Sequence, residues 1–422
     1  MRGLKGSLMT AVTDPRLTRG TQIPYLEFVG LMALLMALNS AAIDVYIPAL
    51  QQIGSAFGIA DGNARQLVIT SYVMGFGGAQ VLYGPLSDRF GRRPVLFAGL
   101  GIYLAGALAA VVVPSFEALL VTRFVQGVGA ASTRVIVTAA VRDRFSGARM
   151  ASVMSLVMMV FMIMPVLAPN LGSLIMLFGN WREVSGFMVV FGGVALVWSY
   201  FRLAETLHPE DRRELRLKPV AEAFRIVLTN RTSVGYLFAM GTFFAFIFAF
   251  IAQAEQIYTQ IYGMGAEFTL WFSVVAGFMA VAAFLNSRLV ARFGARRLSH
   301  GGLTVFLTVA TVHLVLAIAM GGHTPFWLFL ALFTVMMCCV GIVPANFNAL
   351  AMEPLGRVAG VGSAVLGAAQ TVLGGVLGGV VGFLYDGTLI PLLGGGVTLA
   401  LMSLTAAWWA EGGRLFGEMT PD

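Results

Sequence analysis

The stretch GPLSDRFGRRP, Gly84 to Pro94, gathers four charges, two glycines and two prolines into eleven residues. Apolar runs flank it on both sides, near 65–86 and 95–113. Each run is long enough to cross roughly 30 Å of hydrocarbon as a helix. A polar, basic turn between two such runs reads as the loop of a transmembrane hairpin. The same alternation extends outward along the chain, with spans near 27–49, 65–86, 95–113, 118–140, 149–176 and 184–203. A second set follows near 233–257, 267–290, 299–320, 325–348, 357–385 and 389–410. Composition agrees: 58% of the 422 residues are hydrophobic and only 11% are charged, against about 25% charged in soluble domains. The expected fold is an all-α polytopic membrane protein of twelve transmembrane helices.

The longest charged interruption is ETLHPEDRRELRLK, Glu205 to Lys218, followed by a short amphipathic piece from Pro219 to Thr229. It divides the chain into a six-helix bundle over 1–203, a linker over 204–232 and a second six-helix bundle over 233–422. The halves echo each other. SDRFGRRP (Ser87 to Pro94) follows span two, and VARFGARR (Val290 to Arg297) follows span eight. A duplicated plan of this kind, with an approximate two-fold axis along the membrane normal, puts the substrate site between the halves.

The basic residues set the orientation. With the N-terminus inside, all but four of the 27 fall in the even-numbered connections and the two tails. The exceptions are Arg65 and Arg182 at outer ends, and Arg123 and Arg134 within a span. Lys and Arg favour the cytoplasmic side, so both termini are expected to be cytoplasmic. The net charge of +7 therefore reflects topology, and no nucleic-acid partner is implied. The first span reads as a retained anchor, because no small-residue cleavage site follows a short apolar core. Cys338 and Cys339 are adjacent in an apolar run, which supports neither a disulfide framework nor a metal site. HExxH, GxSxG, Walker A and dinucleotide-binding patterns are all missing, so no enzyme, metal or cofactor is expected. The energy source should then be an ion gradient.

Asp44 is the one acid well inside a span, and such a carboxylate costs roughly 2.5–3.5 kcal/mol at a helix centre. Burial favours the neutral form of a carboxyl and a nearby cation favours the charged form, so a group between the two can take up and release protons. The alternative is an acid in interfacial water, or one that pins a helix. Arg123 is its natural partner, about five residues or roughly 8 Å below the outer end of span four at 1.5 Å per residue. Asp44 lies at a similar depth in span one. Gln126, three residues on, shares a face with Arg123, and Arg134 falls close to three turns further along. A polar face within a membrane should line a cavity, although Arg134 could equally tie helices together. Pro165, Pro169 and Gly172 interrupt span five, where proline removes a backbone hydrogen bond. The methionines around them (Met154, Met158, Met159, Met162, Met164) read as packing bulk that would also suit a promiscuous pocket. Gln253 and Gln370 are candidates for the cavity wall, with Asn346 and Asn348 near its cytoplasmic mouth. All four could instead be helix-to-helix ties. His313 reads as a packed histidine, and Glu255 lies near the outer end of span seven.

Taken together, four motifs resemble those of the major facilitator superfamily. The loop Gly84 to Pro94 resembles the signature between its second and third spans. RFVQGVGAA (Arg123 to Ala131) resembles the span-four motif of proton-coupled members, and MPVLAPNLG (Met164 to Gly172) resembles the antiporter motif of span five. DVYIPAL (Asp44 to Leu50) and VRDRF (Val141 to Phe145) are similar to the Bcr/CflA-type drug-resistance exporters, which include chloramphenicol and bicyclomycin exporters. The resemblance implies a proton-coupled exporter of small amphipathic compounds in a bacterial cytoplasmic (inner) membrane, working as a monomer. Asp44 would respond to protons and Arg123 would tune it. Gly84, Asp88, Arg89, Gly91 and Arg92 would form a cytoplasmic switch, and Pro165, Pro169 and Gly172 a seal. The chain departs from the pattern at Ala168-Pro169, where related antiporters often have Gly-Pro, and at the added polar Asn170. Ala291 stands where Asp88 stands in the first half, so the switch should be concentrated there. Other readings are a metabolite or sugar transporter of the same fold, by efflux or symport, and a non-transporting membrane receptor or scaffold.

Overall fold

The computed structural model describes residues 23–59, 61–145, 147–212, 224–265 and 267–416. The basic N-terminal residues Arg2, Lys5, Arg16 and Arg19, the centre of the linker and the last six residues lie outside them, so both tail assignments do too. Among these described residues, twelve helices are long and apolar enough to cross a membrane. Spans one to six are Tyr25–Ala56, Ala64–Phe90, Arg92–Val112, Phe116–Arg144, Ser152–Phe178 and Trp181–Arg202. Spans seven to twelve are Arg231–Ile261, Phe268–Phe293, Ala295–Ala319, Phe326–Leu355, Gly362–Phe383 and Ile390–Ala410.

Two boundaries differ from the sequence reading in a way that matters. Span one was expected to end near residue 49, where Gln51 and Gln52 interrupt the apolar run. Its helix ends at Asp44, turns through a short 3-10 segment, Ile47–Ala49, around Pro48, and resumes over Leu50–Ala56. Gln52 is used rather than merely exposed: its Oε1 accepts from the backbone N–H of Trp181 at 2.6 Å. Asp44 therefore lies deeper in the span than its sequence position suggested. Span seven likewise continues past residue 257 as a π-helical turn, Ile257–Ile261.

The packing has an internal period of six spans. Spans one and five, two and four, three and four, three and six, and one and six are in contact. The same pairs recur with six added: seven and eleven, eight and ten, nine and ten, nine and twelve, and seven and twelve. Between the two bundles the main seams are span two on span eleven and span five on span eight, which also exchange under that shift. Span one is 78% buried over its apolar window and span seven 72%, against 28% for span nine, which puts the first pair at the centre and the latter at the lipid face.

Glycine makes the closest approaches possible, as expected where lipid removes the hydrophobic drive for helix association. A Cβ on Gly127 would collide with the carbonyl of Tyr72, and one on Gly75 with that of Phe124, so spans two and four touch backbone to backbone. Gly106 and Gly129 bring span three as close to span four.

The hydrogen bonds that join the bundles lie toward the end opposite the linker. Gln66 Nε2 donates to Gln256 Oε1 at 2.7 Å, and Asn63 Nδ2 donates to the carbonyls of Phe383 (3.0 Å) and Tyr385 (2.8 Å). Following the two–eleven seam inward, Gly379 adjoins Thr70, Gly375 adjoins Val73, and Gly77 adjoins Val372. The last bond runs from Gln80 Nε2 to Thr371 Oγ1 at 3.3 Å. Beyond Gln80, toward the linker end, no further hydrogen bond joins the two bundles among the described residues. Among the described residues, the hydrogen bonds between the bundles are gathered at the end opposite the linker.

Substituting Gly127→Val should destabilise the purified protein in detergent by about 1–3 kcal/mol of overpacking, read as a lower melting temperature. Gly101→Ala, where an added Cβ meets nothing within 4 Å, should not. Equal melting of the two variants would refute backbone contact between spans two and four.

Candidate functional site

Asp44 is the last helical residue of the first segment of span one, and it is 2% exposed. Its Oδ2 accepts one hydrogen bond, from Ser40 Oγ one turn earlier at 2.9 Å. Arg123, fully buried in span four, reaches the same level of span one by another route. Its Nη2 donates to the carbonyl of Ala42 at 2.6 Å, its Nη1 to Gln126 Oε1 at 2.6 Å, and its Nε to the carbonyl of Val68 at 3.4 Å. The guanidinium also lies 4.1 Å from the ring centre of Tyr46 and 4.6 Å from that of Tyr72. The structure thus brings Asp44 and Arg123 to matching depth without an ion pair between them. The cation is satisfied by neutral groups, and the acid keeps a single hydroxyl partner.

Sequence reasoning missed the residues that complete this centre. Tyr46 OH and Ser185 Oγ are 2.6 Å apart, which links span one to span six. Tyr72 OH donates to Asn39 Oδ1 at 2.9 Å. Tyr46 stood in the quoted string Asp44 to Leu50, and Tyr72 and Asn39 were visible as polar groups within mostly apolar spans. Gln126, placed on the polar face, proves to be the companion of Arg123, and its Nε2 is buried without a protein partner.

Span five is helical through both Pro165 and Pro169. Gly172 presses against the break in span one: a Cβ there would collide with the carbonyl of Val45 and lie 2.7 Å from Pro48. Asn170 is the contact with the other bundle. Its Nδ2 donates to Ser273 Oγ of span eight at 2.5 Å, and that hydroxyl donates to the carbonyl of Val166 at 2.7 Å. Met154, Met158 and Met164 pack against the core, while Met159 is 53% exposed.

At the linker end, Arg92 is 3% exposed and gathers acids from two elements. Its Nη1 lies 2.5 Å from Asp88 Oδ1, and its Nε lies 2.8 Å from Asp143 Oδ2. Glu205, just past span six, accepts from the backbone N–H groups of Arg92 (2.8 Å) and Arg93 (3.1 Å). A carboxylate at the N-terminus of a helix meets the positive end of its dipole. Gly91 makes the turn, with φ +101°, and a Cβ there would collide with Glu205. Gly84 is inside the helix, and its carbonyl accepts from Ser87 Oγ at 2.9 Å, the hydroxyl that Arg92 Nη1 also meets at 2.7 Å. Arg89 is exposed and lies over the ring of Phe90, at 5.7 Å. Asp143, within Val141 to Phe145, and Glu205, the first acid of the linker, were visible in sequence but not assigned.

A second ion-pair cluster stands at the equivalent end of the other half. Arg296 pairs with Glu353 at 2.9 Å and with Glu411 at 2.8 Å, and Tyr236 OH donates to Glu411 at 2.5 Å. Glu353 ends span ten and Glu411 follows span twelve, in the places that Asp143 and Glu205 hold after spans four and six. Ala291 removes one acid, but the others remain.

The other candidates separate. Gln253 ties span seven to span eleven through the carbonyl of Val381, at 2.7 Å. Gln370 is buried and makes no hydrogen bond to protein among the described residues. Asn346 bonds Asn286 of span eight at 2.8 Å, whereas Asn348 is exposed. His313 is packed against Phe329 with Thr324 Oγ1 at 3.2 Å. Arg134 faces Phe76 at 6.0 Å. Glu255, 4% exposed at the joined end, accepts from Thr259 Oγ1 at 3.3 Å.

Comparison with known proteins places these features in a family. The profile of the Major Facilitator Superfamily matches residues 32–379. A bicyclomycin resistance protein homolog from Haemophilus influenzae is 29% identical over 376 residues, covering 87% of this chain and 91% of that one. Multidrug resistance protein MdtL from Salmonella paratyphi A is 30% identical over 343 residues, covering 80% and 83%. Multidrug resistance protein D from Escherichia coli is 26% identical over 374 residues, covering 89% and 91%. Among solved structures, the xylose transporter XylE from E. coli, in a partially occluded inward-open conformation, superposes with a TM-score of 0.71 at 13% identity. It covers 94% of this chain and 98% of its own, a likeness of fold. The chain is a membrane transporter of the major facilitator superfamily.

Proposed function

We propose that the protein exports small amphipathic compounds, antibiotics among them, across a bacterial inner membrane in exchange for protons, as a monomer with both termini in the cytoplasm. The observation that carries the reading is Asp44: a buried acid at a helix break, held by one serine hydroxyl and not locked to the arginine beside it. A carboxyl tied to a cation would stay charged through the cycle. One with a single neutral partner exchanges a proton with whichever aqueous side its surroundings open to. The relatives named for drug resistance support the substrate class, and the acid supports the coupling.

In the cycle we infer, the present arrangement, unjoined at the linker end, is the state that faces the cytoplasm. Substrate enters between the bundles and Asp44 releases its proton to that side. The bundles then rock about the centre, which breaks the Gln66–Gln256, Asn63–Gln256 and Asn170–Ser273 bonds and closes the linker end. Substrate leaves on the far side and Asp44 takes a proton there. Arg123 stays anchored to its carbonyls, Gln126 and two tyrosines, keeping the floor of the site rigid while span five slides on the break in span one. The clusters around Arg92 and Arg296 brace each bundle where it must move as one body.

Purified protein in liposomes under an imposed pH gradient tests the coupling. Asp44→Asn, an imitation of the neutral acid, should fold and insert but no longer concentrate substrate. Accumulation equal to the parent's would move the proton carrier elsewhere. Asp88→Ala and Asp143→Asn should slow transport with little change in substrate affinity, because both lie at the brace and away from the centre. Lost binding with unimpaired cycling would contradict that assignment. Asp143→Asn should also lower stability more than Asp88→Ala, since its side chain is 14% exposed against 33% and the buried guanidinium keeps less compensation.

A further inference from the structure

Arg134 differs from the other arginines within the bundles. Arg92, Arg202 and Arg296 each have carboxylates, and Arg123 has carbonyls and an amide. The Arg134 guanidinium donates no hydrogen bond, and no carboxylate lies within ion-pair distance of it, among the described residues. Its one protein neighbour of note is the face of Phe76, at 6.0 Å. It is only partly buried, so its nitrogens remain within reach of a solute.

Its position gives the missing partner a place. Arg134 lies on the face of span four that carries Arg123 and Gln126, nearer the linker end. Opposite, span eleven presents a glycine: a methyl added to Gly367 would sit 3.9 Å from Arg134 Nη2 and 3.3 Å from Gln80 Oε1. The Gln80–Thr371 bond, the last that joins the bundles, is the roof of this space. Below it no hydrogen bond joins the bundles among the described residues. A guanidinium with five donors, an aromatic face and a bare backbone therefore border the path between the bundles. A charge in this setting is costly and marks a substrate or ion pathway, and guanidinium matches planar oxyanions through paired hydrogen bonds.

We propose that Arg134 receives the anionic group of the transported compound, so that the preferred substrates are small amphipathic acids, carboxylates or related oxyanions, whose apolar body lies along Phe76. This rests on the reading of the inter-bundle space as the substrate path. It narrows that reading by charge. Gly367 serves by leaving room for the oxyanion, and Gln80, whose Nε2 is engaged with Thr371, closes the site on one side.

The test uses the full-length protein in phosphatidylcholine vesicles and matched probes that share one aromatic body: an arylacetic acid, its amide and the corresponding amine. Binding is read by fluorescence quenching and by the rise in melting temperature. The acid should bind best. Arg134→Ala should weaken it at least about thirty-fold, as expected for removing one partner of a buried charge pair, while leaving the amide within about two-fold. Arg134→Lys should restore part of the affinity, and Gly367→Val should lower it without touching the charge. The idea is overturned if no acid binds, if the amide or amine binds better, or if the preference for the acid survives Arg134→Ala. It is also overturned if phosphatidylglycerol vesicles alone abolish acid binding, which would make the anion a lipid headgroup. Proton-driven uptake of the neutral amide by the parent protein separates the two failures. Its occurrence without any preference for acids sinks this inference and spares the exporter, whereas no proton-driven transport of any probe sinks the exporter.

Discussion

Arg123 buries its guanidinium completely and surrounds it with two carbonyls, one amide and two tyrosine faces. A buried charge normally demands a counter-charge, since the effective desolvation penalty is several kcal/mol per ion. Here charge-assisted hydrogen bonds and desolvated cation–π contacts, each worth about 2 kcal/mol, take that role. The consequence is that Asp44 is not needed to neutralise the arginine. An ion pair would hold the acid ionised and fix spans one and four together. A neutral cradle fixes the spans and leaves the acid available.

The break in span one depends on the same arrangement. The helix stops at Asp44, and Arg123 binds the carbonyl of Ala42, two residues earlier. Pro48 prevents simple continuation, Tyr46 turns back over the arginine, and Gly172 allows span five to lie against the buried carbonyl of Val45. Span five then carries Asn170 to span eight, so one helix touches both the centre and the seam between the bundles. The six-span repeat of contacts makes this linkage two-sided in form. Span seven, the counterpart of span one, carries its own buried acid, Glu255, just before its π-helical turn.

Much of this was legible in the chain. Twelve apolar runs and the repeated Arg-Phe-Gly loop specify the helix count and the duplicated plan, because hydrocarbon thickness and backbone satisfaction leave few alternatives. The depth match of Asp44 and Arg123 was legible too, since span polarity and rise per residue fix it. Their lack of contact was not, because side-chain direction around a broken helix depends on where the break falls. Glu205 was hidden for a related reason: in sequence it is one acid in a charged linker, and only tertiary folding brings it to the start of span three. Of the two glycines in the loop, it is Gly91 that makes the turn with a positive φ, while Gly84 stays within the helix. Arg134 reads equally as cavity or tie in sequence, and only coordinates show that its guanidinium donates no hydrogen bond among the described residues.

The central claim is that Asp44 carries the exchanged proton. The most direct measurement is proton release on substrate addition to the purified protein in weakly buffered detergent, followed with a pH-sensitive dye. The parent protein should release protons in proportion to bound substrate, and Asp44→Asn should bind substrate while releasing none. Undiminished release from Asp44→Asn would contradict the account.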